Sequence, residues 1–370
     1  MSKSKIIKDP LYKQILIDSA HLKYVDSFEF QRLRYIKQTT SADLVYPNAN
    51  HTRFSHSVGT YHLMKKVITN GHMTQLSSKD KKNLLLAALL HDVGHGPFSH
   101  LWERIFPHFN HEDATIEILK KFKLQGVIDI IKKQSPLSPL ITSTLDVDKL
   151  DYMARDSYFA GVSYGVTEVD FITQRMYLKG NKLVIRPSSI SSVEDLITQR
   201  VNLFKTVYFH KAVEMFEHLL YLIFKRVDEL LKNKVNIEIN PDILAFFNKT
   251  NTIDNLLRLN DSVVICEIMR WQQHKDELLS KLCKKYMNRE QINAINLEHT
   301  TKEIKDFENK FDNSLEEPYR YYVSNHPIKI LQTPIYVEFE EGEIVHLKNV
   351  SKIIHFYTTV DFQIKFLFYL

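Results

Sequence analysis

The sequence predicts a mostly α-helical protein with a small β-hairpin and a C-terminal α+β region. Three observations carry this expectation. Glycine is scarce, 9 of 370 residues, which leaves little of the turn chemistry that many-stranded folds need. Apolar residues recur mostly at intervals of three and four, the period of a helix with one buried face. Strand character is confined to residues 176–186 and 334–370.

Residues 54–68 carry Phe54, Val58, Tyr61 and Met64 at helical spacing, and residues 83–91 are apolar all round, as a buried central helix requires. Residues 141–158 predict a third helix. Its Leu145, Leu150 and Met153 suit the core, while Asp148, Tyr152 and Asp156 share another face at i, i+4 and i+8. In "MYLKGNKLVIR", residues 176–186, apolar residues alternate on both sides of a Gly-Asn turn, a hairpin signal. Residues 193–232 predict one bent helix or two, with Arg200, Phe204 and Tyr208 on one face. A soft boundary falls near residue 235. Beyond it, "NKTNTIDN" reads as a loop, 261–284 as a helix, and 334–370 as strands around the "EEGE" turn.

Length allows one large domain or two ordinary ones, and a 44% hydrophobic fraction suits a substantial core. The formal net charge of +5 agrees with an anionic ligand and equally with a solvated surface. With only Cys266 and Cys283, a disulfide scaffold and a cysteine zinc finger are excluded, and a reducing interior is expected. "MSKSKIIKDP" lacks the apolar segment of a signal peptide, and no apolar run approaches the roughly 20 residues that cross a bilayer. A soluble, cytoplasmic protein without membrane contact is expected.

The apolar helix 83–91 ends in an unusual way, "ALLHDVGHGPFSH". Imidazole and carboxylate together suit a hard-to-borderline divalent ion. Adjacent His91 and Asp92 cannot both point one way from a regular helix, but at a helix end where "GHG" lets the chain turn they can. Two further segments offer partners, His56 in "HTRFSHSVG" and Asp148 in "LDVDKLDYMARD". The set His56, His91, Asp92 and Asp148 would hold iron, manganese, zinc or nickel with positions left open for water. Singly, each has a bland reading as a chance dipeptide or a solvated carboxylate.

"HTRFSHS", "HDVGHGPFSH", "HE" and "DVDKLDYMARD", in this order, strongly resemble the HD-domain superfamily of metal-dependent phosphohydrolases, whose ligands follow the order H…HD…D. "FQRLRYIKQ" upstream and "VYFHK" downstream are similar to the deoxynucleoside triphosphate triphosphohydrolases, particularly the core of the animal enzyme with a sterile-alpha-motif domain. The resemblance is dense from Asp9 to Lys211. It implies an HD-domain helical bundle with the catalytic core in 1–235, no sterile-alpha-motif domain, and a 236–370 region serving oligomerisation or regulation.

It also implies roles. His111 would take part in proton transfer and His95 and His100 would line the phosphate path, with Glu103 and Glu112 orienting these imidazoles. Arg53, Lys149 and Arg200 would bind a triphosphate that arrives with magnesium. Gln38 and Asp156 would hold the 3′-hydroxyl, with Tyr152 close by and Tyr208 packed against C2′ so that a ribose hydroxyl clashes. Read without the resemblance, His95 and His100 equally suit backbone contacts in a glycine-rich turn, His111 a helix N-terminus, and Tyr208 the core. Thr39, Phe204 and Phe209 depart from the family's leucine, histidine and glutamine, which bears on base and sugar preference. Lys5, Ile6, Asp26, Gln31 and Arg34 are similar to a site for an activating nucleotide, dGTP or GTP, in a homo-oligomer (dimer or tetramer); an arginine of that site is replaced near Asp170.

The expected activity is attack on the α-phosphorus of a dNTP, releasing deoxynucleoside and inorganic triphosphate. Two rivals are an HD-type phosphodiesterase or nuclease acting on another nucleotide or on single-stranded nucleic acid, and a nucleic-acid or partner-binding protein whose metal is structural.

Overall fold

The structure, a computed structural model, describes residues 4–164, 168–296, 319, 321–328, 330–340, 342–360 and 362–369. Three helices form its centre. Arg53–Thr69 begins where Ser55 Oγ accepts from the Thr52 amide at 3.3 Å, tying down an N–H that the helix itself leaves without a partner. Ser78–Leu90 begins at Ser77, whose hydroxyl accepts from the Asp80 amide at 3.0 Å. Its stretch from Leu84 to Leu90 is buried on every side, so the leucines there contribute about 1.5–3 kcal/mol each before chain entropy is set against them. Val147–Ala160 begins at Asp146, whose carboxylate accepts from the Lys149 amide at 2.8 Å, and stops at Gly161, which adopts φ +69° as a left-handed helix end requires.

The helical stretch expected over 193–232 is two helices, Ile190–Leu203 and Lys211–Lys232, joined by a π-helical turn at Phe204–Tyr208. That turn swings Tyr208 toward Asp156, as described below. The hairpin is present as Met176–Lys179 and Lys182–Ile185, and Tyr336–Glu338 extends it in parallel, followed by Ile344–His346. A second sheet pairs Phe362–Tyr369 with Asn293–Asn296 on one side and Tyr321–Ile328 on the other. One apolar core runs from Ile15 to Phe368. Among the described residues no helix is long and apolar enough to cross a membrane.

Several boundaries differ from expectation. The helix expected from residue 141 starts at Val147, because Asp146 bonds the Ser143 amide and Thr144 bonds Thr333, so polar side chains hold the backbone away from helix. The loop expected over "NKTNTIDN" ends early, since Thr252 and Asn255 cap a helix at Ile253–Arg258. The helix expected over 261–284 is two, Asp261–Trp271 and Glu277–Met287, the second capped by Asp276. Within 334–370, helices Leu347–Val350 and Lys352–Thr359 interrupt the strands. An N-terminal hairpin, Lys5–Asp9 with Lys13–Ile17, was not expected at all; Asp9 turns it by accepting from the amides of Leu11 and Tyr12.

Candidate metal centre and substrate cavity

His91 caps the end of Ser78–Leu90, and Asp92 follows in the turn. Opposite them stand His56 in the first turn of Arg53–Thr69 and Asp148 in the first turn of Val147–Ala160. Four donor atoms converge. His56 Nε2 lies 3.3 Å from His91 Nε2, 3.1 Å from Asp148 Oδ1 and 3.7 Å from Asp92 Oδ2. His91 Nε2 lies 3.4 Å from Asp92 Oδ1 and 3.5 Å from Asp148 Oδ1. Two imidazoles and two carboxylates at these separations form a donor set for a divalent cation. Their electrostatics agree. Burial opposes charge on His56, yet hydrogen bonds and charges from Asp148 and Asp151 outweigh it and raise the imidazole to about 10. Burial would likewise raise Asp148, but His56 and His91 hold it well below the usual carboxylate range.

Behind the donors lies a support that sequence reading missed. Asp151 Oδ2 receives His56 Nδ1 at 2.9 Å, fixing the ring so that Nε2 faces the centre. The same carboxylate accepts from Arg155 Nε and Nη2 at 2.9 and 3.0 Å and from the Tyr12 hydroxyl at 2.8 Å. Arg155, fully buried, also donates to Asp9 at 2.8 Å. Asp151 and Arg155 occupy "LDYMARD" beside Asp148, so the signal was an acid–base pair at i, i+4 on the helix that carries a candidate metal donor.

The histidine turn is braced by two residues distant in the chain, Arg32 and Asp261. Arg32 donates to the carbonyls of His95 at 2.6 Å, Val93 at 3.2 Å and Leu259 at 3.1 Å. Asp261 accepts from the amides of Phe98 at 2.7 Å and Lys37 at 2.9 Å. Phe98 and Ser99 adopt φ +54° and +55°, a conformation that costs a side-chain-bearing residue energy and persists only when its surroundings enforce it.

His95 stacks on His111 with centroids 3.9 Å apart and planes 13° apart, and His100 stands edge-on to both. Burial and the charges of Arg53 and His111 push His95 well below its ordinary value, so it is a neutral imidazole. Glu103 Oε1 receives His111 Nδ1 at 2.7 Å and His100 Nδ1 at 3.3 Å. Burial opposes its charge, but these two hydrogen bonds hold Glu103 at about 2. Glu112 sits exposed at the cavity rim and bonds no histidine among the described residues; the orienting carboxylate is Glu103.

A cavity of about 670 Å³ opens over this centre, ample for a nucleotide. Arg53, Lys149 and Arg200 line it, each already held. Arg53 bonds Asp92 and donates from Nε to Ser99 Oγ at 2.8 Å; Lys149 bonds Asp146 at 2.9 Å; Arg200 donates to the Ile330 carbonyl at 2.9 Å. Tyr152 lines the same wall, its ring 6.2 Å from that of Tyr208. Deeper in, Tyr208 donates to Asp156 Oδ2 at 2.6 Å and His51 Nε2 bonds Asp156 Oδ1 at 2.7 Å. His51 opens "HTRFSH" and was also missed. Gln38 Oε1, Thr39 Oγ1 and Arg200 Nε are buried with no hydrogen-bond partner among the described residues, and buried polar atoms of this kind imply a ligand or water that completes them. Of the residues expected to bind an activating nucleotide, none lines this cavity. Lys5 bonds Asp26 at 2.9 Å on the surface, Gln31 accepts from Arg34 at 2.7 Å, and Ile6 is exposed. Asp170 bonds Lys66 at 2.5 Å.

Fold and site together define a helical hydrolase class with a His/Asp centre for a divalent metal and a deep, cation-lined cavity. Residues 53–156 match the HD domain family, and the chain carries an HD domain with the phosphohydrolase fold. The uncharacterized protein YwfO of Bacillus subtilis is 29% identical over 389 residues, covering 96% of this chain and 89% of that protein. The deoxynucleoside triphosphate triphosphohydrolase SAMHD1 homolog of Dictyostelium discoideum is 30% identical, covering 69% of this chain and 54% of that one. A phosphohydrolase of Bacteroides thetaiotaomicron, solved by crystallography, superposes with a TM-score of 0.88 at 27% identity, covering 99% of this chain and all of the other.

Proposed function

We infer that the protein is a metal-dependent dNTP triphosphohydrolase, which cleaves at the α-phosphorus and releases deoxynucleoside and inorganic triphosphate. The observation that carries this reading is one cavity lined by His91, Asp92 and Asp148, which converge with His56 at 3.1–3.7 Å, together with three cations and the Asp156–Tyr208 pair. The printed activity of the Dictyostelium relative supports it. Iron, manganese, zinc or nickel suits the donors, and magnesium accompanies the triphosphate.

A divalent ion there supplies Lewis acidity, neutralising phosphate charge and bringing the pKa of water toward neutrality. The chain does the rest. Arg53, Lys149 and Arg200 meet the roughly four negative charges of the triphosphate from positions fixed beforehand, so little reorganisation is needed on binding. His111, oriented by Glu103, stands where it can give a proton to the departing 5′-oxygen or hydrogen-bond a phosphate oxygen. His95, kept neutral by burial, offers a hydrogen bond without adding charge. Asp156 has both oxygens engaged, by His51 and Tyr208, and keeps lone pairs for a 3′-hydroxyl. Tyr208 fills the space a 2′-hydroxyl would need.

The test is to incubate metal-loaded protein with each dNTP and separate the products. Deoxynucleoside with triphosphate supports the reading, and a monophosphate with pyrophosphate supports the phosphodiesterase alternative. Asp92→Ala is expected to lose metal and turnover together; activity in a metal-free Asp92→Ala protein would defeat the reading. The surface group Lys5, Ile6, Asp26, Gln31 and Arg34 belongs to the same reading as a site for an activating nucleotide. Turnover of dATP that is indifferent both to dGTP and to Arg34→Ala overturns that part alone.

A further inference from the structure

The cavity wall beside Asp156 is anchored by one residue that stands behind it. His51 is buried and is not among the residues that line the cavity. Its main chain lies in a short antiparallel pairing of residues 36–38 with 51–53. The Gln38 amide donates to the His51 carbonyl at 3.0 Å, the Arg53 amide donates to the Ile36 carbonyl at 3.0 Å, and Lys37 faces Thr52 between them. This pairing fixes Gln38 against Arg53, so the part of the wall that offers an amide to the sugar is in register with a cation that meets the phosphates. Gln38 Oε1 is left buried in that wall with no hydrogen-bond partner among the described residues.

The imidazole serves the same wall. A carboxylate only accepts, so His51 Nε2 donates to Asp156 Oδ1 at 2.7 Å, while the Tyr208 hydroxyl donates to Oδ2 at 2.6 Å. Phe159 lies flat on the His51 ring, with centroids 4.8 Å and planes 16° apart, and sets its plane. His51 Nδ1 is buried with no hydrogen-bond partner among the described residues. A phenyl ring would fill this slot without leaving a buried polar atom unpaired, which costs free energy. Packing therefore does not account for an imidazole here, and the polar partner of its ring is Asp156. With a donor on each oxygen, the Asp156 carboxylate is held against rotation and its remaining lone pairs keep set directions. Those lone pairs and Gln38 Oε1 are acceptors, and a hydroxyl of the ligand is the donor that completes them.

We propose that His51 is the positioning residue for recognition of the sugar 3′-hydroxyl: its carbonyl seats Gln38 and its imidazole aims Asp156, so that acceptors from two parts of the chain meet one hydroxyl. This inference rests on the deoxynucleotide-hydrolase reading and adds to its sugar site the residue that assembles it. Substitution of His51 removes only the hold on Asp156, since the main-chain carbonyl stays. Among the described residues no hydrogen bond joins His51 to His56, His91, Asp92 or Asp148, so an effect on the sugar is separable from one on the metal.

The experiment compares kcat/KM for dATP and 2′,3′-dideoxyATP, which differ only in the 3′-hydroxyl, in the metal-loaded full chain and in His51→Phe, His51→Asn and His51→Gln. Glutamine carries its amide N–H₂ where Nε2 stands and can still donate to Asp156; asparagine carries it where Nδ1 stands and cannot. The expected wild-type preference for dATP is about tenfold or more. It falls toward unity in His51→Phe and His51→Asn, through weaker use of dATP with dideoxyATP unchanged, and is retained in His51→Gln. His51→Asn stands in if His51→Phe does not fold. A preference that survives in both variants, or an equal fall with both substrates, overturns the inference, since His51 would then be a packing residue only. Loss of the preference in His51→Gln to the extent seen in His51→Asn overturns the role of the Nε2 donor. Metal content is expected to match the wild type, and its loss in His51→Asn would overturn the assignment to the sugar. Wild-type hydrolysis of dATP and dideoxyATP at equal rates overturns the inference and leaves the hydrolase reading intact; hydrolysis of no dNTP overturns the hydrolase reading and this one with it.

Discussion

Asp151 is not among the residues that line the cavity, yet it is expected to govern metal binding. It holds His56 Nδ1 at 2.9 Å, Arg155 at 2.9 and 3.0 Å and Tyr12 at 2.8 Å. Asp151→Asn keeps the shape but replaces one acceptor oxygen with an N–H₂ group that faces donors. The hydrogen bond that sets the His56 tautomer and ring orientation is then lost or reversed, and changes to such supporting partners cost 10–100-fold in metal affinity, about 1.4–2.7 kcal/mol. Stability suffers separately. Removing one partner of a buried ion pair costs about 3–5 kcal/mol. Because Asp9 still pairs with Arg155 at 2.8 Å, a value near about 3 kcal/mol is expected. The assay is competition of the bound metal against a chelator of known affinity, run beside urea unfolding of both proteins. Metal affinity unchanged in Asp151→Asn, whatever the stability does, would refute the reasoning, since the carboxylate would then serve only the Arg155 pair.

Three further outcomes follow from individual side chains. Tyr208→Ala opens the space beside the sugar and is expected to raise ribonucleotide turnover relative to the matching deoxynucleotide by about tenfold or more, read as a ratio of kcat/KM; an unchanged ratio would move ribose exclusion to another residue. Gly59→Ala puts a Cβ on Arg53–Thr69 where Asp151 and Arg155 already sit, so overpacking should destabilise the protein by about 1–3 kcal/mol and weaken metal binding, and a variant with wild-type unfolding would show that the two helices have room to part. Glu103 is held at about 2, below the usual 4.5, so its contribution is complete above about pH 4.5 and is lost as pH falls toward 2. Glu103→Gln should therefore cost about 2 kcal/mol near pH 7, after discount for its partial exposure, and much less near pH 3; a gap that widens on acidification would contradict this.

Much of the centre was legible because its residues sit in short local patterns. "HDVGHGPFSH" must end a helix, and "HTRFSH" and "DVDKLD" open two others, so the three segments brought their ligands to one place. The supports were hidden because they pair across the chain. Nothing local in "FQRLRY" tells that Arg32 holds the carbonyls of Val93 and His95, or in "NDSVV" that Asp261 receives the amide of Phe98. His51 was overlooked for the stronger claim of His56 five residues on. The C-terminal misreading has a different cause. "SKIIHFYTT" is rich in β-branched and aromatic residues that favour strands, yet Ser351 accepts from the Ile354 amide at 3.0 Å and starts a helix that buries Ile354, so a cap and a core contact outweighed propensity. The N-terminal hairpin turns on an aspartate bonding its own backbone at Leu11 and Tyr12, a signal weaker than the Gly-Asn pair that marked the other hairpin.

The central claim is that a water oxygen reaches the α-phosphorus of a deoxynucleoside triphosphate and the whole triphosphate leaves as one unit. Hydrolysis of dATP by the metal-loaded protein in oxygen-18-labelled water, with mass analysis of both products, tests it most directly. The expected result is label in inorganic triphosphate and an unlabelled deoxynucleoside. Label in a deoxynucleoside monophosphate released with pyrophosphate, or in the deoxynucleoside itself, would contradict it.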